Sequence, residues 1–171
     1  MKGIISIIPI LVFPLMMVAQ SKKVKIYAFQ QEVLPGVRKT SIDESGQTKE
    51  IPNKIRPRTF IYLEAARDKK IDPKHIWING KLFGVSVSTP QLPVVLFNPT
   101  IPGKAPDTLA RQTNNQVIQV EPVTDVASFT PSSTAKKKMK SNKIVLHTIE
   151  NGKNCYYYLD TIKILDPVAL Q

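Results

Sequence analysis

The chain has 171 residues, of which 42% are hydrophobic and 22% are charged, a composition typical of a globular domain and not of a fibrous or disordered protein. One cysteine and two histidines exclude an internal disulfide framework, and they leave few ligands for a zinc cage or a histidine-based catalytic cluster. The formal net charge of +11 makes the chain strongly basic, which favours anionic partners.

Residues 1–19 have the pattern of a secretory signal peptide. One lysine is followed by an apolar run of about 15 residues, and polar sequence begins after Ala19. A stable membrane span would need roughly 20 apolar residues, whereas this run is shorter and contains prolines. We therefore predict cleavage after Ala19 and a mature domain, residues 20–171, that has no transmembrane span.

The end of this apolar segment also bears on localisation. The sequence Ala19-Gln20-Ser21 resembles the ending of signal peptides common in Bacteroidota. No cysteine lies near the predicted cleavage point, which disfavours a lipid-anchored lipoprotein. We expect a protein that is exported through the secretory pathway and is periplasmic or extracellular, in a bacterial cell envelope.

The mature chain alternates with a period of two, which favours β-strands. Residues 24–29 are rich in β-formers, and residues 37–51 predict a hairpin of two short polar strands around Glu44-Ser45-Gly46. Residues 59–65 are apolar on both alternating faces, as expected of a central strand that is covered on both sides. These segments predict a sheet with at least one fully buried strand.

Two Asn-Gly pairs predict tight hairpins with type I′ turns, in which both central residues have positive φ. In the first hairpin, the turn at Asn79-Gly80 places Trp77 opposite Leu82. Strand alternation then puts five apolar side chains on the core face: Ile76, Ile78, Phe83, Val85 and Val87. The opposite face is small or polar apart from Trp77 and Leu82, which form a local apolar pair.

The second Asn-Gly pair, at residues 151–152, fixes the register of another hairpin. One face carries the more core-like side chains: Ile144, Leu146, Thr148, Cys155, Tyr157 and Leu159. This register favours a buried and inert thiol at Cys155 over an intermolecular disulfide. The opposite face carries Tyr156 and Tyr158 beside His147.

The segments that connect these hairpins differ in composition. Prolines recur throughout residues 89–108, and because proline cannot donate a backbone hydrogen bond, this segment is predicted to be a long loop or edge meander. Short strands are predicted at residues 116–120 and 161–165. The Ser/Thr-rich segment 128–142 contains a run of lysines and is typical of an exposed and mobile connection.

About seven to nine short strands, with closely spaced turns and no convincing amphipathic helix, predict an all-β fold. The simplest architecture is a single antiparallel β-sandwich domain, immunoglobulin-like, and the alternative is a partly open β-barrel. The paired cysteines of antibody domains are absent. Trp77 invites comparison with the core tryptophan of such domains, although the hairpin register places it on the opposite face.

Residues for enzymatic chemistry are scarce. Cys155 and His147 lie close across one ladder, but the register points them to opposite faces of the sheet, which argues against a Cys-His nucleophilic pair. The sequence has no zinc pattern and no calcium loop, and turn chemistry accounts for Asp43-Glu44 better than a weak cation site does. We predict no catalytic residue, no metal site and no cofactor.

The strongest local charge is a cluster of lysines within residues 126–149, a stretch that contains no acid. The cluster consists of Lys136, Lys137, Lys138, Lys140 and Lys143. It can attract lipopolysaccharide, anionic lipid, acidic glycan or extracellular nucleic acid in a salt-sensitive manner, but a solvated loop is the preferred interpretation. Nucleic acid is disfavoured because aromatic side chains are not interleaved with the lysines.

A second candidate interaction surface is aromatic. Its residues are Trp77, Leu82, His147, Tyr156 and Tyr158. Faces of this kind suit protein or sugar contacts, but many are covered by another part of their own domain.

We therefore expect a non-catalytic accessory or protein-binding module that works with an envelope or outer-membrane protein. The first alternative is a polyanion binder that uses the lysine cluster. The second alternative is a small exported hydrolase with a site near His147. The fold alone does not choose among them, because β-sandwiches host many functions.

Overall fold

The computed structural model describes residues 24–34, 40–42, 45–50, 57–123 and 129–169. Over these residues the chain forms twelve strands and one helix. The first six strands are β1 (Lys25–Leu34), β2 (Thr40–Ile42), β3 (Thr48–Glu50), β4 (Arg58–Ala65), β5 (Ile71–Ile78) and β6 (Lys81–Ser88). They are followed by β7 (Val94–Leu96), β8 (Asp107–Ala110), β9 (Gln116–Val123), the helix α1 (Ser133–Met139), β10 (Ile144–Glu150), β11 (Lys153–Leu159) and β12 (Lys163–Ala169).

Eight of these strands form one sheet, in the order β11-β10-β5-β6-β9-β4-β1-β12. Neighbouring strands are antiparallel except for β1 and β12, which run parallel. The sheet is curled into a half-barrel. The polar hairpin predicted in residues 37–51 is present as the separate pair β2-β3.

The curl follows from the connection between the two edge strands. β11 ends at Leu159 and β12 begins at Lys163, so a three-residue link joins opposite edges of the sheet. Four residue steps span at most about 14 Å, whereas the edges of a flat eight-stranded sheet lie about 34 Å apart. The two edges are therefore drawn together, and β11 comes close to β1.

Both predicted Asn-Gly hairpins are confirmed. Asn79 and Asn151 have φ of 50° and 49°, and the glycines that follow them have φ of 79° and 75°, as a type I′ turn requires. In both hairpins the pairing of residues agrees with the predicted register. Two local dipeptides thus decide which side chains of four strands face the core.

The concave side of the sheet holds the main hydrophobic core. Alternate residues of the central strands meet there, together with one residue of the β11-β12 link: Ala28, Ile61, Leu63, Ile76, Val120, Ile144, Leu146 and Ile162. The central-strand prediction for β4 is confirmed, because Ile61 faces this core while Tyr62 is buried on the convex side. Val87 is a correction: it is half exposed near the end of β6, although its register partner Val120 on β9 is buried in this core.

A second hydrophobic cluster lies on the convex side of β1, β4 and β12. Its buried residues are Phe29, Tyr62, Leu109, Ala110, Val117 and Leu165. The cover comes from the two-stranded sheet β7-β8, which contributes Leu109 and Ala110 and packs Val94 and Leu96 against the cluster. The proline-rich segment 89–108, predicted as a long loop or edge meander, contributes the short strand β7 and the start of β8 to this cover.

The prediction of a mobile connection at residues 128–142 is wrong for the described part of this segment, because the residues from Phe129 onward include the helix α1. Ser132 caps the helix, and its Oγ accepts a hydrogen bond from the Ala135 N–H at 3.2 Å. The lysines in the last turn are favourable at the negative end of the helix dipole. Ala135 is fully buried, which anchors the helix beside β10.

The all-β class predicted from the sequence is confirmed. The immunoglobulin-like sandwich is not confirmed, because the eight strands form one continuous curled sheet and a sandwich packs two sheets face to face. The half-barrel is nearer to the alternative, a partly open barrel. The signal peptide predicted at residues 1–19 and the turn at Asp43-Glu44 lie outside the described residues.

Candidate functional site

A cluster of aromatic and imidazole rings occupies the convex side of β5, β10 and β11. This ring cluster consists of His75, Trp77, Phe129, His147 and Tyr156. Strand register assembles it, because His75 lies directly opposite His147 on one side and Tyr156 lies opposite His147 on the other. Three neighbouring strands therefore bring three rings into one row.

The two imidazoles of the ring cluster meet edge to edge. Their Nδ1 atoms are 3.2 Å apart, their ring centroids are 5.5 Å apart and their planes differ by 9°. The nitrogens are thus much closer than the ring centres, so the rings are nearly coplanar and point at each other. Only one hydrogen fits between two facing nitrogens, which means that one ring donates through Nδ1–H and the other accepts.

Asn154 on β11 determines which histidine donates. Its Oδ1 lies 2.9 Å from Nε2 of His147 and accepts a hydrogen bond, so the proton of neutral His147 is on Nε2. Nδ1 of His147 is then the acceptor, and His75 donates through its Nδ1–H. Burial, the neighbouring His147 and the charge of Lys74 all lower the pKa of His75 from its ordinary value of 6.5.

Phe129 covers the imidazole pair. Its ring centroid lies 4.3 Å from that of His75 and 4.8 Å from that of His147, with planes that differ by 20° and 21°. The ring of Trp77 lies 5.9 Å from Phe129. Tyr156 stacks on His147 with a centroid distance of 5.0 Å. The pair therefore lies in an aromatic environment in which unpaired charge would be costly.

The structure brings the predicted aromatic surface together but leaves little of it open to solvent. His147 is 2% exposed and Trp77 is 4% exposed. Leu82, Tyr156 and Tyr158 are half-buried. Part of the cover is Phe129, so this surface contacts another segment of its own chain.

The five predicted polyanion contacts are exposed lysines on α1 and on the residues that follow it, and together they are called the lysine face. It consists of Lys136, Lys137, Lys138, Lys140 and Lys143, and each of these residues is exposed. The rise of a helix places the first four within about 6 Å along its axis. The N–H of Asn79 donates to the Lys143 carbonyl at 2.7 Å, which ties the end of this segment to the β5-β6 turn. The lysines are thus presented on an ordered support.

A network of hydrogen bonds and one ion pair surrounds the Glu150 carboxylate at the end of β10. Glu150 is buried and accepts hydrogen bonds from the Tyr157 hydroxyl and from Thr148 Oγ1, and its Oε2 lies 2.8 Å from the Lys69 ammonium. Burial raises the pKa of the Glu150 carboxyl, but the hydrogen bonds from Lys69 and Tyr157 outweigh it and hold the pKa below its ordinary value. Burial and the bond to Glu150 raise the pKa of Tyr157 to about 12. The network joins β10, β11 and the β4-β5 connection.

The geometry around Cys155 does not assemble a nucleophilic pair. Cys155 is half-buried, and burial followed by the charge of Glu150 raises the pKa of its thiol, which keeps it from the reactive thiolate form. Thr148 is its register partner, so the thiol lies on the face opposite His147. Both ring nitrogens of His147 already have hydrogen-bond partners.

Within the described ranges, no group of three or more His, Cys, Asp or Glu side chains is arranged to hold a metal ion. No helix in these ranges combines the length and the apolar character needed to cross a membrane.

The described structure therefore defines a curled, mostly antiparallel β-sheet protein with a covered ring cluster and an exposed lysine face. Comparison with protein-family models, with curated proteins and with solved structures finds no match to this chain. Any functional assignment accordingly rests on the residues of the chain itself.

Sequence reasoning missed three members of this region: His75 as a partner of His147, Phe129 and Asn154. Asn154 could have been found, since the second hairpin register places it on the same face as His147. The pairing of β5 with β10 joins segments that are distant in the sequence, and no local signal specifies it. Phe129 reaches the cluster from outside the sheet, which strand periodicity does not describe.

Proposed function

We propose that the protein is a non-catalytic binding module exported to the bacterial cell envelope, where its lysine face contacts a polyanionic glycan or lipopolysaccharide. The observation that carries this proposal is the ordered helix α1, which presents Lys136, Lys137 and Lys138 to solvent and is followed at its C-cap by the exposed Lys140. Charges that are ordered before binding lose less conformational entropy on binding than charges on a mobile loop.

Charge density supports a polyanionic ligand. The described residues 129–149 include five lysines and no acid, so the attraction is not offset within this segment. A lysine near a strongly anionic surface contributes about 1 kcal/mol, and this contribution falls as salt screens it. The formal net charge of +11 adds long-range attraction for the same class of ligand.

Export and the absence of catalysis rest on separate arguments. Export to the periplasm or the extracellular side is proposed from the signal-peptide pattern of residues 1–19. Non-catalytic character is proposed because His147 has partners on both ring nitrogens and because the pKa of the Cys155 thiol is raised. The alternative of an exported hydrolase near His147 has no comparable support.

Neutralising the helix is expected to weaken polyanion binding. In the variant Lys136→Gln, Lys137→Gln, Lys138→Gln and Lys140→Gln, affinity for purified lipopolysaccharide should fall at least tenfold, given about 1 kcal/mol per lysine. Isothermal titration at several salt concentrations measures this, and the salt dependence of the affinity should become shallower.

A matched variant separates a local site from diffuse charge. It replaces four exposed lysines outside the lysine face with glutamine: Lys25, Lys70, Lys153 and Lys163. The proposal predicts near wild-type affinity for this variant, although its net charge equals that of the first. An equal loss in both variants would show that binding depends on total charge alone.

Exposed apolar side chains favour a second candidate function, attachment to an envelope or outer-membrane protein. Phe97 is 68% exposed and Ile164 is 65% exposed. Both lie near the β12 edge of the sheet: Ile164 is in β12, and Phe97 precedes Asn98, whose side chain donates to the Pro167 carbonyl of β12 at 2.9 Å.

Affinity purification from crosslinked envelopes tests this second candidate. The double variant Phe97→Ser and Ile164→Ser is expected to lose a stoichiometric protein partner that the wild-type protein recovers. Recovery of no partner by wild type would remove this candidate.

A further inference from the structure

We infer that the His75-His147 pair is an acid-sensitive latch that holds Phe129 on the convex face of the sheet. The chain contains two histidines, and both belong to this pair. The inference concerns the ring cluster and does not depend on the ligand proposed for the lysine face.

The hydrogen bonds of the pair tolerate one additional proton. The first can bind Nε2 of His75, because that ring donates through Nδ1 and keeps doing so as an imidazolium. A second proton must bind Nδ1 of His147, whose Nε2 already donates to Asn154. Two N–H groups and two positive charges would then face each other across a contact that is now 3.2 Å. The doubly protonated pair is therefore incompatible with this arrangement.

The surroundings of the pair oppose added charge. Lys74 on β5 is the charged group whose field acts on His75. The other groups packed on the pair are neutral: Phe129 above it, Asn154 and Tyr156 on β11 and Gly84 on β6. Among the described residues, no carboxylate forms a hydrogen bond or ion pair with either ring, so nothing in the cluster compensates the two imidazolium charges.

Separation of the imidazoles removes the support of Phe129, which stacks on both rings. Phe129 in turn covers Trp77. Because the pKa of His75 lies below 6.5 in the folded protein, the folded state binds fewer protons than the unfolded chain. The pair is therefore at its most stabilising above pH 6.5 and becomes less so as the pH falls, first through the charge on His75, which the hydrogen bonds tolerate, and then through the second proton, which separates the rings. Acid should expose Trp77 before it unfolds the sheet.

Trp77 is the single tryptophan of the chain and reports directly on the latch. We expect acrylamide quenching of its fluorescence to rise at least about twofold between pH 7.5 and pH 5.0, while the far-UV circular dichroism of the sheet stays constant. Unchanged quenching over this range would overturn the inference. So would a loss of the far-UV signal at the same pH, because acid would then unfold the whole domain.

The variant His75→Gln tests the mechanism. Its amide N–H can donate to neutral His147 and its carbonyl can accept from protonated His147, so the acid-induced rise in quenching should disappear. Retention of the wild-type rise in this variant would contradict the latch.

Nitrogen-15 NMR of the wild-type imidazoles at pH 7.5 provides a test that needs no variant. A protonated Nδ1 on His75 and an unprotonated Nδ1 on His147 are expected. Protonation of Nδ1 on His147 instead would overturn the inference.

Discussion

Replacing Leu146 with alanine is expected to lower the free energy of unfolding by about 2–5 kcal/mol, the largest effect of any single substitution proposed for this protein. Leu146 has no solvent exposure and lies in the middle of β10, between Ile76 on β5 and Tyr157 on β11. Its removal leaves a cavity in the concave core that two paired strands cannot readily close. Urea denaturation of wild type and variant measures the difference.

The matched control is Ile164→Ala on β12. Ile164 is another large aliphatic side chain in a strand, but most of its surface is exposed, so the same measurement should change by less than about 0.5 kcal/mol. A similar loss in both variants would mean that the concave core is not where stability is concentrated.

The substitution Lys69→Met is expected to destabilise the protein by about 1–3 kcal/mol near neutral pH, because it leaves the buried Glu150 carboxylate without its cation. The ammonium of Lys69 is partly exposed, which places the effect below that of a fully buried pair. The control is Lys74→Met, which removes the exposed bridge to Asp72 and should cost less than about 0.5 kcal/mol. Equal effects of the two substitutions would contradict the buried-network interpretation.

The Lys69→Met effect should also depend on pH in a defined direction. In the folded protein the pKa of Glu150 is below its ordinary value of 4.5, so the network stabilises the fold above pH 4.5 and loses this contribution as the pH falls and the carboxyl is protonated. The difference in unfolding free energy between wild type and Lys69→Met is therefore expected to shrink in acid. A difference that stays constant down to pH 3 would show that Glu150 is not the group responsible.

Local patterns predicted local structure well. The Asn-Gly turns at residues 79–80 and 151–152 determine their own geometry and the register beside them, so the faces of both hairpins followed from short stretches of sequence. The apolar run in β4 predicted a strand buried on both sides for the same reason. These features need no knowledge of distant partners.

Features that depend on distant pairing were not predictable in this way. Whether the strands form one sheet or two depends on which strands the hairpins pair with. The pairs β5-β10 and β1-β12 join segments that are far apart in the sequence. The ring cluster was not predictable for the same reason, because His75 and His147 come together only through the pairing of β5 with β10.

The helix α1 is a different case, because its signal was present in the sequence. Ser132 is a good N-cap, and the residues that follow include alanine, lysine and methionine, which are strong helix formers. The richness of this segment in serine, threonine and lysine favoured a mobile connection, but burial of Ala135 against the sheet overrides that tendency.

The parallel pairing of β1 with β12 also bears on the order in which this domain can be completed. β12 supplies the parallel partner of β1, so the strand nearest the start of the described chain pairs with the one nearest its end. Such a contact closes a very large loop and forms slowly. Until β12 is in place, one edge of β1 has unpaired N–H and C=O groups that can recruit a strand of another chain. Self-association during synthesis and refolding is therefore expected to begin at β1.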